Sequence, residues 1–201
     1  MSFWKTITGK LLIANVIVFF LTSFSDDLFD FLALTPTKAI GQGMIWQFFT
    51  FMYVHGGVEH IFLNMWGLMM FGPVIEKEMG PKRFFTYYTL CGIGSGLFHV
   101  LIEGIGSIPL VGASGAIFGI MTAFGLMFPR RIIYYQLFIP MPAIVFIGFM
   151  ALLQFVYGIA LSGSAVAFWG HLGGMMVGFI LIKFLDFGRR RRRVVYFWEE
   201  I

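Results

Sequence analysis

Residues 111–128 read VGASGAIFGIMTAFGLMF, an uncharged run of apolar and small residues with one serine, Ser114, near its start. The segment 113–128 is predicted to form a helix, along which Gly115 and Gly119 lie four apart on one face. Small residues at this spacing let helices approach closely in lipid, where there is little hydrophobic drive for association. The stretch therefore predicts a tightly packed helix inside a membrane, with a serine in its first turn.

The composition of the whole chain agrees with a membrane location. Of its 201 residues, 59% are hydrophobic and 12% are charged, and the mean hydropathy is +0.86. A soluble domain usually carries about 25% charged residues. Several stretches approach the roughly 20 apolar residues that cross a bilayer core. We therefore expect a polytopic membrane protein and not a soluble globular domain.

Six apolar segments are predicted to span the membrane as one all-α bundle, a single domain over residues 1–201. Their approximate bounds are 8–24, 58–76, 84–103, 113–128, 141–161 and 166–186. The aromatic connection 25–57 is expected to lie in the membrane interface, where Trp46 and Tyr53 suit headgroup depth. The final segment, 187–201, is expected to be a basic cytoplasmic tail.

The basic residues predict the orientation of the bundle. With the N-terminus in the cytoplasm, all of the 14 Lys and Arg residues except Lys38 fall on the cytoplasmic side. This asymmetry satisfies the positive-inside rule and predicts that both termini are cytoplasmic. The run Arg189–Arg193 is then expected to contact anionic lipid in the bilayer, and no nucleic-acid partner is expected.

Strongly polar side chains inside the spans are few, and each is a functional candidate because burying it in lipid is costly. His60 and Asn64 lie four apart, hence on one face of the second span. Ser114 begins the fourth span, and His171 lies ~8 Å below the outer end of the sixth, at the rise of an α-helix. These four residues are predicted to share one layer, a short way below the outer surface.

Glycines predict that two of these residues meet. The sixth span carries a stripe of glycines around its histidine, namely Gly170, Gly174 and Gly178. Packed against the glycines of the fourth span, this stripe would bring His171 to Ser114. A serine nucleophile and its base need a separation of about 2.6–3.2 Å. The free N–H groups in the first turn of the fourth span, with the second-span pair, would then donate to an oxyanion.

Each polar residue alone has a plainer interpretation. Ser114 suits a helix cap, His171 a satisfied interior histidine, and Asn64 a hydrogen bond between helices. Their conjunction at one depth favours catalysis. The chain has no HExxH motif and no Asp within a span, so intramembrane zinc and aspartyl proteases are unsupported, and no metal or cofactor is expected. His55 and His99 are not accompanied by other polar candidates at the same depth, and they are interpreted as interface or structural residues.

Four motifs, in order and on the expected spans, resemble those of the rhomboid intramembrane serine proteases. They are residues 60–64 (HIFLN, like HxxxN), 72–80 (GPVIEKEMG, like GxxxExxxG), 112–115 (GASG, like GxSG) and 171–178 (HLGGMMVG, like HxxGxxxG). The resemblance covers essentially the whole chain as a six-helix core. One departure is Trp46-Gln47, because the family often has Trp-Arg in this first connection.

The resemblance implies a function as well as a fold. Ser114 would be the nucleophile and His171 the general base, in a dyad without an acid, cleaving single-span membrane proteins near their outer end. His60, Asn64 and the backbone N–H of Ser114 would be the oxyanion donors. Phe118 would pack against the His171 ring, where some members carry Tyr. The supporting glycines are Gly112, Gly115, Gly174 and Gly178, and the substrate would reach the site laterally, between the second and fifth spans.

Two other functions remain open from the sequence. A non-catalytic membrane adaptor that binds transmembrane helices would use the same fold without needing Ser114 or His171. A small transporter is less favoured, because it would place polar residues or broken helices near the bilayer midplane. The compact chain, with no targeting extension, favours the inner membrane of a bacterium as the location.

Overall fold

The computed structural model describes residues 2–135, 138–161, 166–184 and 187, and this part of the chain is mostly helical. The helices in chain order are α1 (Ile7–Thr22), α2 (Asp26–Leu32), α3 (Pro36–Gly41), α4 (Gln47–Thr50), α5 (Val58–Met79), α6 (Pro81–Glu103), α7 (Ser114–Met127), α8 (Ala143–Ala160) and α9 (Phe168–Phe184). Short 3-10 turns at Phe3–Lys5 and Phe51–Tyr53 precede α1 and follow α4. Strands β1 (Ile132–Tyr135) and β2 (Ile139–Pro142) separate α7 from α8.

Six of these helices have the apolar composition of membrane segments. Helices α5, α6 and α8 have 22, 23 and 18 residues and mean hydropathies of 1.3, 1.3 and 2.2, enough by length and composition to cross a bilayer. Helices α1, α7 and α9 are apolar but shorter, with 16, 14 and 17 residues. The prediction of a mostly helical membrane protein is confirmed, and these six helices begin and end within a few residues of the predicted spans.

The structure departs from a purely helical bundle between α7 and α8. Strands β1 and β2 pair antiparallel, with Ile133 opposite Met141. Helix α8 therefore begins at Ala143, two residues later than the predicted span. Pro140 and Pro142 explain the difference, since a proline ring fixes φ and donates no N–H, which suits an edge strand and a helix start.

The connection between α1 and α5 is structured by buried polar contacts. Gln47 is fully buried, and its Oε1 accepts from the Thr35 N–H at 3.1 Å while its Nε2 donates to the Asp30 carbonyl at 3.0 Å. Trp46 Nε1 donates to the Phe31 carbonyl at 3.0 Å. The amide of Gln47 thus ties α4 to α2 without placing a charge in the interior.

The core of the bundle is the packing of α9 on α6 and α7. Tyr87 of α6 is fully buried, and its hydroxyl donates to the Gly119 carbonyl of α7 at 2.7 Å. The free thiol of Cys91, one turn further along α6, is buried beside the same glycine. Helices α6, α7 and α9 therefore meet around the small residues of α7 and α9.

Glu76 of α5 holds the start of α1. Its carboxylate accepts from the backbone N–H groups of Ile7 and Thr8, each at 2.8 Å, and from the Thr8 hydroxyl at 2.7 Å. These N–H groups lie in the first turn of α1, where a helix has no internal acceptors and where its dipole favours a negative charge. Glu76 is 6% exposed, so this tie is shielded from solvent.

Replacing Glu76 with Gln is expected to destabilise the protein by about 1.5–3 kcal/mol, the usual range for hydrogen bonds to a charged group. The amide keeps one acceptor oxygen but loses the other together with the charge. Thermal unfolding in detergent measures the change. Glu78→Gln, a half-buried neighbour on the same helix, is the control and is expected to stay within ~0.5 kcal/mol of the parent protein. Equal losses in the two variants would contradict this account.

Candidate active site

Ser114 and His171 form a hydrogen-bonded pair between two helices. Ser114 is the first residue of α7, and His171 lies in the first turn of α9. His171 Nε2 is 2.8 Å from Ser114 Oγ. Both side chains are half-buried, so the pair is packed yet still open to a reactant. This separation is the one that a hydroxyl nucleophile and its base require.

The plainer interpretation of Ser114 as a helix cap does not fit the structure. Ala113 occupies the N-cap position of α7, and Ser114 is the first helical residue after it. The Ser114 hydroxyl contacts His171 instead of the N–H groups of its own helix. Those N–H groups belong to the first turn, where a helix leaves its donors without internal acceptors.

Glycines determine how closely α7 and α9 approach. A Cβ atom at Gly174 would collide with the carbonyl oxygen of Gly115, and one at Gly178 would lie 3.0 Å from the carbonyl oxygen of Gly119. On the side facing α6, a Cβ atom at Gly115 would collide with the side chain of Ser95. Backbone thus packs directly on backbone, and this contact brings the short serine side chain to the imidazole.

Two further side chains orient the His171 ring. Phe118, one turn after Ser114, stacks on it with ring centroids 4.5 Å apart and an interplanar angle of 20°. On the other edge, the Nδ1 atom lies 2.8 Å from Oε1 of Gln154 in α8. Gln154 is not among the residues predicted from the sequence. Its signal is a strongly polar amide within an otherwise apolar helix, a placement that is costly in lipid.

His60 and Ser114 both lie close to Gly112. The Gly56 N–H donates to His60 Nδ1 at 3.4 Å, which leaves the proton of the neutral ring on Nε2. Gly112 has a φ of +112°, and a Cβ atom there would lie 2.7 Å from His60 Nε2 and 3.8 Å from Ser114 Oγ. Both the backbone conformation and the close approach of His60 therefore require glycine, and the N–H donor of His60 lies against Gly112, beside the nucleophile.

Asn64 lies one turn along α5 from His60 and is buried. Its Nδ2 donates to the His60 carbonyl at 2.8 Å, which leaves the second N–H of the amide for another acceptor. Among the residues that the structure describes, Asn64 makes no direct hydrogen bond to Ser114 or His171. The structure thus joins Ser114 to His171 directly, and it places His60 and Asn64 together on the neighbouring helix.

His55 has a neighbour that the sequence analysis did not predict. Its ring lies edge-on to that of His60, with centroids 5.1 Å apart. Burial, and secondly the nearby His60, lower the pKa of His55 to about 4, so this loop histidine is neutral at pH 7. The contact with His60 contradicts the expectation that His55 lies apart from the candidate residues, and its interpretation as an interface or structural residue stays a prediction. In the described ranges, no group of three His, Cys, Asp or Glu side chains is arranged to hold a metal ion.

Comparisons with known proteins identify the family of this chain. A family model for the rhomboid domain matches residues 42–186. RHOMBOID-like protein 1 of Arabidopsis thaliana is 30% identical over 154 residues, which are 74% of this chain and 36% of that protein. The rhomboid protein YdcA of Bacillus subtilis is 28% identical over 156 residues, 77% of this chain and 73% of that protein.

One further relative is named as inactive. Inactive RHOMBOID-like protein 8 of Arabidopsis thaliana is 35% identical over 79 residues, 39% of this chain and 22% of that protein. YdcA, in contrast, is named as a candidate protease. The chain spans less than half the length of the two plant relatives.

Replacing Gly174 with Ala is expected to push α9 away from α7 and to destabilise the protein by about 1–3 kcal/mol, the usual cost of overpacking. Gly148→Ala in α8 is the matched control, because a Cβ atom there meets nothing within 4 Å. Alanine is the better helix former, so this control should be neutral or stabilising by up to ~1 kcal/mol. Unfolding temperatures in detergent measure both, and a Gly174→Ala protein as stable as the control would rule out the contact.

Proposed function

The chain belongs to the rhomboid family, and from that premise we propose that it is an intramembrane serine endopeptidase that acts through Ser114 and His171. The observation that supports this most directly is the 2.8 Å contact between His171 Nε2 and Ser114 Oγ. A hydroxyl in contact with an imidazole is an activated nucleophile. Both side chains are half-buried, which leaves an approach for the peptide bond.

The proposed reaction uses one histidine for all proton transfers. Ser114 Oγ attacks the carbonyl carbon of the scissile peptide bond while its proton passes to His171 Nε2. The carbonyl electron pair moves onto oxygen and gives a tetrahedral oxyanion. When the C–N bond breaks, His171 returns the proton to the departing amine. Water then attacks the acyl-enzyme with His171 again as base. The ester C–O bond breaks, His171 returns the proton to Ser114 Oγ, and the second peptide leaves as a carboxylic acid.

Three N–H groups are proposed to bind the oxyanion: His60 Nε2–H, the second amide N–H of Asn64, and the backbone N–H of Ser114. The position of Gly112 supports this assignment, because His60 Nε2 and the nucleophile both lie close to it. Donors held in place before the reaction stabilise the charge without reorganisation, with a typical value of about 3 kcal/mol for each.

The proposed substrates are single-span membrane proteins, and the proposed access route lies between α5 and α8. In the described part of the chain, α8 packs on α7, α9 and the β1–β2 hairpin, and its contact with α5 is sparse. Helix α7 is only ~21 Å long at 1.5 Å per residue, shorter than the ~30 Å hydrocarbon core. A start below the membrane surface would bring Ser114 to a transmembrane substrate.

The expected location is a bacterial inner membrane, with both termini in the cytoplasm. Arg189–Arg193, proposed to contact anionic lipid, lie outside the described residues. The alternative function, a non-catalytic adaptor that binds transmembrane helices, has one observation in its favour, since one relative is named as inactive. The intact contact between Ser114 and His171 favours the protease.

Purified protein in liposomes is expected to cleave a single-span substrate and to react with a fluorophosphonate, and Ser114→Ala should abolish both activities. Asn64→Ala keeps the nucleophile and base, and should lower turnover by about 10²–10³-fold, as expected for the loss of an oxyanion donor. Gel analysis of the cleavage products and of the labelled protein gives both readouts.

Ser107→Ala is the matched control for the serine, since this residue is exposed in the loop before α7. It should cleave at the rate of the parent protein. Cleavage that survives Ser114→Ala would refute the protease. An inactive parent protein that still binds the substrate helix, with or without Ser114, would support the adaptor.

The orientation predicts which surface residues a membrane-impermeant maleimide labels in intact cells. Cys91 is fully buried and should not react with the maleimide. Labelling of a single introduced cysteine therefore reports on that position alone. Ser107→Cys, between α6 and α7, should be labelled in intact cells. Lys82→Cys, at the start of α6, should be labelled only after lysis. The reverse pattern would overturn the proposed orientation.

A further inference from the structure

Gln154 makes a contact with the candidate base that the proposed dyad does not use. It lies in the middle of α8, is 9% exposed, and places Oε1 2.8 Å from His171 Nδ1. Ser114 and His171 themselves come from α7 and α9. A third helix therefore contributes a polar atom to the back of the imidazole.

The direction of this hydrogen bond decides which nitrogen of His171 carries the proton. An amide oxygen accepts and cannot donate, so the neutral ring must carry its proton on Nδ1. The lone pair of Nε2 then faces Ser114 Oγ at 2.8 Å. This is the tautomer that a general base needs, because Nε2 is free to take the serine proton.

We propose that Gln154 is a positioning residue, which holds His171 in the Nδ1–H tautomer with its Nε2 directed at Ser114. This inference rests on the proposed protease function. It makes the catalytic unit a line of three side chains, Gln154, His171 and Ser114, in which a neutral amide takes the place that an acid holds in soluble serine proteases. Gln154 acts only through the imidazole and touches neither substrate nor the reacting atoms.

An amide suits this position better than a carboxylate. The contact lies among apolar side chains in a bundle surrounded by lipid, where a buried charge costs much more than a neutral polar group. The amide orients the ring with a single hydrogen bond and needs no counter-ion. The cost is that it stabilises the imidazolium less than a carboxylate would.

Aromatic contacts hold Gln154 at this distance. Phe155 packs edge-on against Trp169, with ring centroids 5.9 Å apart, and a Cβ atom at Gly158 would lie 2.9 Å from the same indole. Tyr157 contacts Phe168, with centroids 5.5 Å apart. These pairs join the second half of α8 to the first turn of α9, next to the hydrogen bond. The alignment of the base therefore depends on where α8 lies.

Two substitutions with side chains of similar length distinguish the effect of the hydrogen-bond acceptor from the effect of side-chain volume. Gln154→Met fills the space without an acceptor, and should lower kcat by about 10–100-fold, with KM changed less than twofold. Gln154→Glu keeps an acceptor and has no donor when ionised, and should retain kcat within a few-fold. Imidazole ¹⁵N NMR should show the Nδ1–H tautomer of His171 in the parent protein and in Gln154→Glu, and a mixture of tautomers in Gln154→Met.

Several outcomes would overturn the proposal: full turnover in Gln154→Met, equal losses in both variants, or an Nε2–H tautomer in the parent protein. If Gln154→Met does not fold, Gln154→Glu decides alone. Were the amide donating to Nδ1, the carboxylate variant would lose turnover and change the tautomer. The NMR measurement on Ser114→Ala is independent of cleavage, so failure of the protease function and failure of the Gln154 role are distinguishable.

Discussion

The backbone contact between α7 and α9 is the constraint on which the candidate site depends. A serine side chain is short, so its hydroxyl reaches an imidazole on another helix only if the two helix axes are unusually close. Gly115 against Gly174 makes this possible, because the carbonyl oxygen of one occupies the place of a Cβ atom on the other. In lipid, where apolar burial gives little drive for association, such contact also contributes the dispersion energy that holds the helices together.

Three other buried polar side chains, those of Glu76, Gln47 and Gln154, form hydrogen bonds to a neighbouring element. Glu76 accepts from the unpaired first N–H groups of α1, and Gln47 bridges two short helices of the first connection. Gln154 accepts from the ring of His171. Because an unpaired polar group is costly away from water, these contacts hold elements in position as well as lowering that cost.

Much of the fold and of the site was predictable because it depends on composition and helical spacing. Apolar runs predicted the membrane helices, and matching depth with glycine spacing predicted that Ser114 and His171 would lie together. The hairpin between α7 and α8 was not predicted, because its four-residue strands are too short to show a clear alternation of apolar and polar residues. The contact between His55 and His60 was not predicted either. It depends on how the loop before α5 folds, and the spacing of residues along a helix gives no information about that.

The sequence by itself determined the kind of protein, a helical membrane protein of the rhomboid family, and which polar side chains its apolar segments carry. The reason is that lipid requires backbone hydrogen bonds to be satisfied within each helix, so every span can be recognised from its own residues. Only the tertiary structure decided what contacts the base on the side away from Ser114 and which residues surround the nucleophile. Gln154 and Gly112 come from separate segments, and their relation to His171 and His60 exists only after packing brings those segments together.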